Sequence, residues 1–351
     1  MLERIRNIFR NRDPEPLAEE VEYQERIANE LSSFDECTNV HDLPEIFHYW
    51  SNKHLAPVKF HQFGITDPEQ FFYLYAKKYH ETNPGKAMLM VSIGSGNCDM
   101  EARLAKRLVD DGISQFSIEC LDINEAMLER GREHARNLDV ERYIFPRYGD
   151  FNHWQPDKTY DLVLANQCLH HVVELENLFA AIKSALHQDG YFLTSDMIGR
   201  NGHQRWPEAL KIVREFWDEL PENYRYNRLM QRQEQKYINH DCSVSSFEGI
   251  RAQDILPLLN EYFNFELFIP FANIVTVFID RPFGHNFDAK GEWDRDFIDR
   301  VHARDDAAIL SGEITPTQML AVLCNKEVST TLLDPRLTPE FCARKTDASS
   351  R

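Results

Sequence analysis

The chain has 351 residues, 42% of them hydrophobic and 12% aromatic, enough for one large domain with additions or at most two domains. Acids outnumber bases 57 to 39, a formal net charge of −18 that opposes the basic footprint of a nucleic-acid binder, so no nucleic-acid partner is expected. No apolar stretch approaches a membrane span, the first residues lack a secretory core, and seven cysteines without pair or zinc spacing suit reduced thiols in the cytoplasm.

Residues 1–12 put Leu2, Ile5, Ile8 and Phe9 on one helical face among Arg4, Arg6, Arg10 and Arg12. A terminal helix packed on its own domain is expected there, with docking to a membrane surface or a partner left open. An acidic amphipathic helix follows over about 17–31, then an aromatic and histidine-rich stretch over 44–80 in which Asp67-Pro68-Glu69 is a helix start. Residues 1–80 therefore read as an N-terminal helical extension.

After the turn at Asn83-Pro84-Gly85 the pattern alternates. Strands are predicted at 87–93, 117–122, 143–148, 160–165 and 190–195, with helices near 99–110, 124–137 and 174–187 between most of them. Asp189-Gly190 reads as the turn into the fifth strand. Two polar excursions, about 200–250 and 281–315, look like insertions around a helix at 251–262 and strands at 263–269 and 319–324. The polar tail from 326 to 351 is expected to be loosely ordered. The fold class is thus α/β, a Rossmann-like, seven-stranded, mostly parallel sheet with helices on both faces, in a domain spanning 81–325.

A ligand site is predicted at the carboxyl ends of these strands. The first strand stops at Gly94-Ser95-Gly96, and a helix follows. A dinucleotide fingerprint would need a third glycine where Asp99 stands, which weakens that reading. The second strand ends in Asp122-Ile123, a carboxylate suited to two ribose hydroxyls, although Asp122 or Asn124 would also serve as a helix cap. Asp150 and Phe151 follow the third strand, suited to an exocyclic adenine amine and an adenine face. Asn166 and Gln167 end the fourth strand, and His170 and His171 come just after.

These motifs in this order resemble the class I S-adenosylmethionine (SAM)-dependent methyltransferases: VSIGSGNCD their glycine-rich motif, LDIN the ribose motif, GDF the adenine motif, YDLVLANQCLHHV the fourth-strand motif and LHQDGYFLTSD the approach to strand five. Cys98 departs from the family's third glycine. The flanks HYWSNKHLAPVKFHQFGITDPEQFF, DMIGRNGHQRWPEAL, RAQDILPLLNEYF and GEITPTQMLAVL resemble a bacterial subgroup associated with glycan or specialised-metabolite biosynthesis.

The resemblance implies SAM as cofactor, held by Gly94, Ser95, Gly96, Asp122, Ile123, Asp150, Phe151, Asn166 and Gln167, with Tyr49 and Trp50 in a lid over its methionine end. It implies methyl transfer, with oxygen of a small-molecule or glycan-linked acceptor the expected target. His171 and His170 are then the candidate bases, and Asp196, Arg200, Trp206 and Arg251 candidate acceptor contacts. No metal is expected, because adjacent histidines face different ways and only one would pair with Glu174. A NAD(P)-dependent oxidoreductase and a non-catalytic scaffold of the same fold are the alternatives, and a homo-oligomer is left open.

Overall fold

Strand β1 (Met88–Ile93) is almost continuously apolar because it is flanked on both edges and covered on both faces. In the computed structural model, which describes residues 18–35 and 43–344, it pairs in parallel with β2 (Phe116–Asp122) on one side and β4 (Tyr160–Asn166) on the other. The amphipathic segment 1–12 lies outside the described residues. β3 (Ile144–Tyr148) extends the sheet beyond β2, and β5 (Leu186–Met197) beyond β4. Chain order therefore reverses between β1 and β4, which opens a crevice at their carboxyl ends.

β9 (Gln318–Cys324) lies antiparallel between β5 and β8 (Asn264–Phe271). The sheet has eight strands rather than seven, because the two-residue strand β10 (Thr331–Leu332) pairs with the outer edge of β8. The segment expected to be a loose tail is packed as far as it is described, with Leu337 and Cys342 buried and Arg344 paired with Glu208. Asp189 and Gly190 are not a turn before β5 but part of a bulge within it. Leu186 pairs with Tyr160 and Tyr191 with Leu162, so the bulged strand has extra residues between the two pairs.

Helix α1 (Ala18–Asp35) reaches the crevice, and α2 (Glu45–Trp50) leads through a wider helical turn to α3 (Pro68–Thr82). Asp67 caps α3 through the amide of Gln70, as the Asp-Pro-Glu signal predicts. α4 (Asp99–Asp110) and α5 (Glu125–Asn137) follow β1 and β2, and α6 (Leu175–Ala185) follows β4. Met100, Leu104 and Leu108 of α4 are buried, the expected apolar stripe. The first excursion holds α7 (Pro207–Glu219) and a short hairpin of β6 (Tyr226–Asn227) and β7 (Arg232–Gln233), after which α8 (Ala252–Tyr262) leads into β8. The second is the 20-residue helix α10 (Glu292–Ser311), which packs on the short α9 (Val275–Ile279). Fully buried Asp305 of α10 accepts the amides of Asn273, Ile274 and Val275 and so anchors that crossing. No described helix is long and apolar enough to cross a membrane.

Candidate functional site

Gly94 and Ser95 both donate their backbone N–H to Leu121 O, at 2.9 and 3.2 Å, so the turn after β1 is tied to the end of β2. Gly94 has φ 63°, a conformation that disfavours side chains. A Cβ there would also lie 2.6 Å from the Cβ of Cys168 and 3.6 Å from Phe151 Cε1. Backbone, Cys168 and Phe151 thus form one wall that only glycine permits.

Asp122, at the end of β2, is nearly buried. Its two oxygens accept the amides of Gly96 and Asn124, each at 2.8 Å. Burial pushes its carboxyl above the usual range, and these amides pull part of the way back. The cap of α5 falls to Asn124, which accepts from the Met127 amide, so Asp122 itself does not cap the helix. Asp150 accepts the amide of Asn152 at 2.9 Å, a ring nitrogen of His153 at 3.0 Å and the Tyr23 hydroxyl of α1 at 2.7 Å. Burial raises its carboxyl, but those donors outweigh it and leave the group below its ordinary value.

The loop after β4 is shaped by a carboxylate on the neighbouring strand. Gln167, at φ 54°, continues the ladder by donating its amide to Ser195 O at 2.8 Å. Fully buried Asp196 then accepts the amides of Cys168, Leu169 and Met197. Its other contact is Nδ1 of His170 at 2.6 Å. A carboxylate only accepts, so Nδ1 carries the proton and Nε2 faces away from Asp196.

Two further loops meet this one. Gly202 donates its amide to Gly249 O at 2.9 Å, and Ile250 donates to His170 O at 3.1 Å. Gly249, at φ 70°, has no room for a side chain, since a Cβ there would lie 3.0 Å from His203 Cε1. Buried Arg205 holds the His203 carbonyl at 2.7 Å. Together these contacts gather three imidazoles around Glu248. His203 Nε2 lies 2.6 Å from Oε1, His170 Nε2 3.7 Å from the same oxygen, and His171 Nε2 3.4 Å from Oε2.

His171 Nδ1 faces Glu30 of α1 at 2.7 Å. Burial lowers the His171 value, but Glu30 and Glu248 override it and raise the ring to about 9. Burial lowers His203 despite Glu248. Glu248 is held far below the carboxylate range by the three rings, against the effect of burial. α1 closes this side: Arg26 donates to the carbonyls of Ser243 and Ser246, between the Tyr23 and Glu30 contacts.

Of the residues picked out in the sequence, Gly94, Ser95, Gly96, Asp122, Ile123, Asp150, Phe151, Asn166, Gln167, His170 and His171 come to one edge of the sheet. Tyr49 and Trp50 do not join them. The Tyr49 hydroxyl donates to Asp299 and the buried Trp50 donates to His302, so both pack α2 onto α10. Asp196 is no acceptor contact, since its oxygens are committed to the β4 loop and His170. Arg251 is spent on a two-pronged pair with Glu176 plus Asp254 and Val173 O. Arg200 lies over the Trp206 ring at 5.2 Å, with Arg344 at 4.0 Å from the same ring.

Glu30, Glu248 and Tyr23 carry no mark in the sequence, and His203 is marked only by its place after the fifth strand, at the face where an acceptor would enter. They come from α1 and from two loops far along the chain, and no local spacing marks them. The cradle nevertheless fits SAM: a turn too narrow for a Cβ, with the carboxylate of Asp122 at the end of the next strand beside it.

The sequence profile of a family described as "Methyltransferase domain" matches residues 84–259. No curated protein matches the sequence. Among solved structures, the chain is similar to YjhP from E. coli, with 11% identity, 81% of this chain and 100% of that one covered and a TM-score of 0.40. It is also similar to the O-methyltransferase of a trans-AT PKS multienzyme of Brevibacillus brevis in complex with S-adenosyl-L-homocysteine, at 14% identity, 87% and 84% coverage and a TM-score of 0.44. A third is geranyl diphosphate C-methyltransferase from Streptomyces coelicolor, at 10% identity, 85% and 98% coverage and a TM-score of 0.42.

Proposed function

The chain belongs to this methyltransferase family and is a SAM-dependent methyltransferase, and on that premise we propose that it methylates an oxygen of a small-molecule or glycan-linked acceptor. SAM supplies an activated methyl group on a sulfonium, open to in-line displacement by an acceptor lone pair. The Gly94–Gly96 turn, Asp122, Phe151, Asn166 and Gln167 hold that cofactor at the strand ends, while Asp150, expected at the adenine, has both oxygens engaged by Tyr23, His153 and Asn152 and shapes the wall instead.

One observation carries the choice of acceptor atom: the convergence of His170, His171 and His203 on Glu248 beside the β4 loop. An alcohol must lose its proton as the new C–O bond forms, and a basic cluster at hydrogen-bond reach serves that step. His170 Nε2 takes the acceptor proton, and Asp196 keeps the ring in the right tautomer and orientation. His171, clamped between Glu30 and Glu248, joins α1 to the cluster and positions Glu248.

The test is release of S-adenosylhomocysteine (SAH) across a panel of hydroxylated small molecules and glycosides, begun with any compound found by native mass spectrometry of the purified protein. His170→Gln should leave SAM affinity unchanged while lowering turnover of an oxygen acceptor by about a hundredfold. Wild-type turnover in that variant would remove His170 as the base, and a product methylated on carbon or nitrogen would overturn the oxygen assignment.

A further inference from the structure

We propose that Nε2 of His170, Nε2 of His203 and a carboxylate oxygen of Glu248 bind one divalent transition-metal ion beside the loop that follows β4. The three donor atoms lie within 4.8 Å of one another. His170 Nε2 and Glu248 Oε1 are 3.7 Å apart, beyond hydrogen-bond range. That spacing suits two ligands of one ion with bonds of about 2.0–2.2 Å.

His170 has the orientation a metal-bound histidine needs. Its Nδ1–H is fixed on Asp196, itself immobilised by three backbone amides, and its Nε2 lone pair is aimed at Glu248. Carboxylate–histidine pairs of this kind orient ligands and raise their basicity. His203 Nε2, 2.6 Å from Glu248 Oε1, carries the proton shared with that oxygen, and an ion would replace the proton.

The loops bearing the three ligands are stitched to one another by backbone hydrogen bonds, so the site exists without being assembled by the ion. Glu248 keeps 35% of its side chain exposed, which leaves coordination positions for water or for an acceptor oxygen. Two imidazoles and one carboxylate select zinc, iron(II) or manganese over magnesium or calcium, which take oxygen ligands. No such set was visible in the sequence. Glu174, the nearby carboxylate weighed there, bonds Asn177 instead. With an ion bound, His170 would serve as a ligand, and the ion would lower the pKa of an acceptor hydroxyl coordinated to it so that the proton passes to water and the oxygen takes the methyl group. Binding of the ion stands apart from the methyl-transfer reading, and only this use of it rests on that reading.

The full chain, free of affinity tag and stripped with a chelator, is titrated calorimetrically with zinc chloride and then manganese chloride, with no acceptor or SAM present. One equivalent is expected, undisturbed by excess magnesium, and weakened at least a hundredfold in Glu248→Gln and His203→Gln. His302→Gln, which removes a ring of the separate His54–His302 stack, and Cys242→Ser should bind as wild type.

Cobalt(II) loaded into the wild-type chain should also shift ring N–H resonances of two histidines by proton magnetic resonance, a readout that survives if a variant fails to fold. Absence of binding, equal competition by magnesium, loss of binding in His302→Gln or Cys242→Ser, or fewer than two shifted rings would overturn the site. A metal-binding chain without methyl transfer would overturn only the reaction, and methyl transfer without metal binding only the metal.

Discussion

Asp122 and Asp196 end neighbouring parts of the same crevice, and both are carboxylates with little access to water. Asp196 meets that condition by saturation, with three amides and a histidine on its oxygens, so nothing remains for a ligand. Asp122 accepts one short amide hydrogen bond on each oxygen, from Gly96 and Asn124, and so keeps lone-pair capacity for a ligand. Burial holds its carboxyl above the ordinary value, and hydrogen bonds from ribose hydroxyls would favour the charged form. Asp122→Ala should therefore lower SAM affinity by about a hundredfold, since hydrogen bonds to a charged group contribute about 1.5–3 kcal/mol each. Calorimetric titration reads this directly, and unchanged affinity would refute the ribose assignment. Both residues read alike in the sequence, as acids at strand ends, and only their partners separate a ligand group from a structural one.

Helix α4 carries a buried acid of its own, Glu101. Glu101 sits in its first turn and accepts the Ser92 hydroxyl of β1 at 2.6 Å, while its other oxygen is buried with no side-chain partner among the described residues. Burial raises its carboxyl to about 7 from the usual 4.5. The folded chain therefore holds a proton that the unfolded chain releases between pH 4.5 and 7. Stability from this group is fully present below pH 4.5 and lost as pH rises through 7, by about 3 kcal/mol in all. Glu101→Gln should remove that slope. Urea unfolding of both proteins at pH 5 and at pH 8 measures it, and parallel losses in wild type and variant would refute the assignment. Amphipathic spacing was enough to find α4, α5 and α6, because a 3.6-residue stripe must face the sheet. It gave no hint that α1 lies beside Asp150 and His171, because that contact rests on Tyr23, Arg26 and Glu30, which share one helix face but are polar and so add nothing to an apolar stripe.

The folded chain as a whole should report its cofactor through stability, because a ligand bound only by the native state adds RT ln(1 + [L]/Kd). SAH at a hundred times its dissociation constant contributes about 2.7 kcal/mol. With an unfolding entropy near 2.1 cal/mol/K per residue, the thermal midpoint of this 351-residue chain rises by about 4 °C. NADH should leave the midpoint where it is, and the reverse pattern would favour the oxidoreductase alternative. The alternating sheet, the glycine turn and the acids ending β2 and β3 were legible from residue order, because parallel strands, tight turns and strand ends are local consequences of spacing and residue type. The ring of His170, His171 and His203 around Glu248, the displacement of Tyr49 and Trp50 onto α10, and the pairing of Arg251 with Glu176 were not. Those partnerships join residues tens to hundreds of positions apart, and folding brings them together through loop crossings and helix packing that leave no periodic trace in the chain.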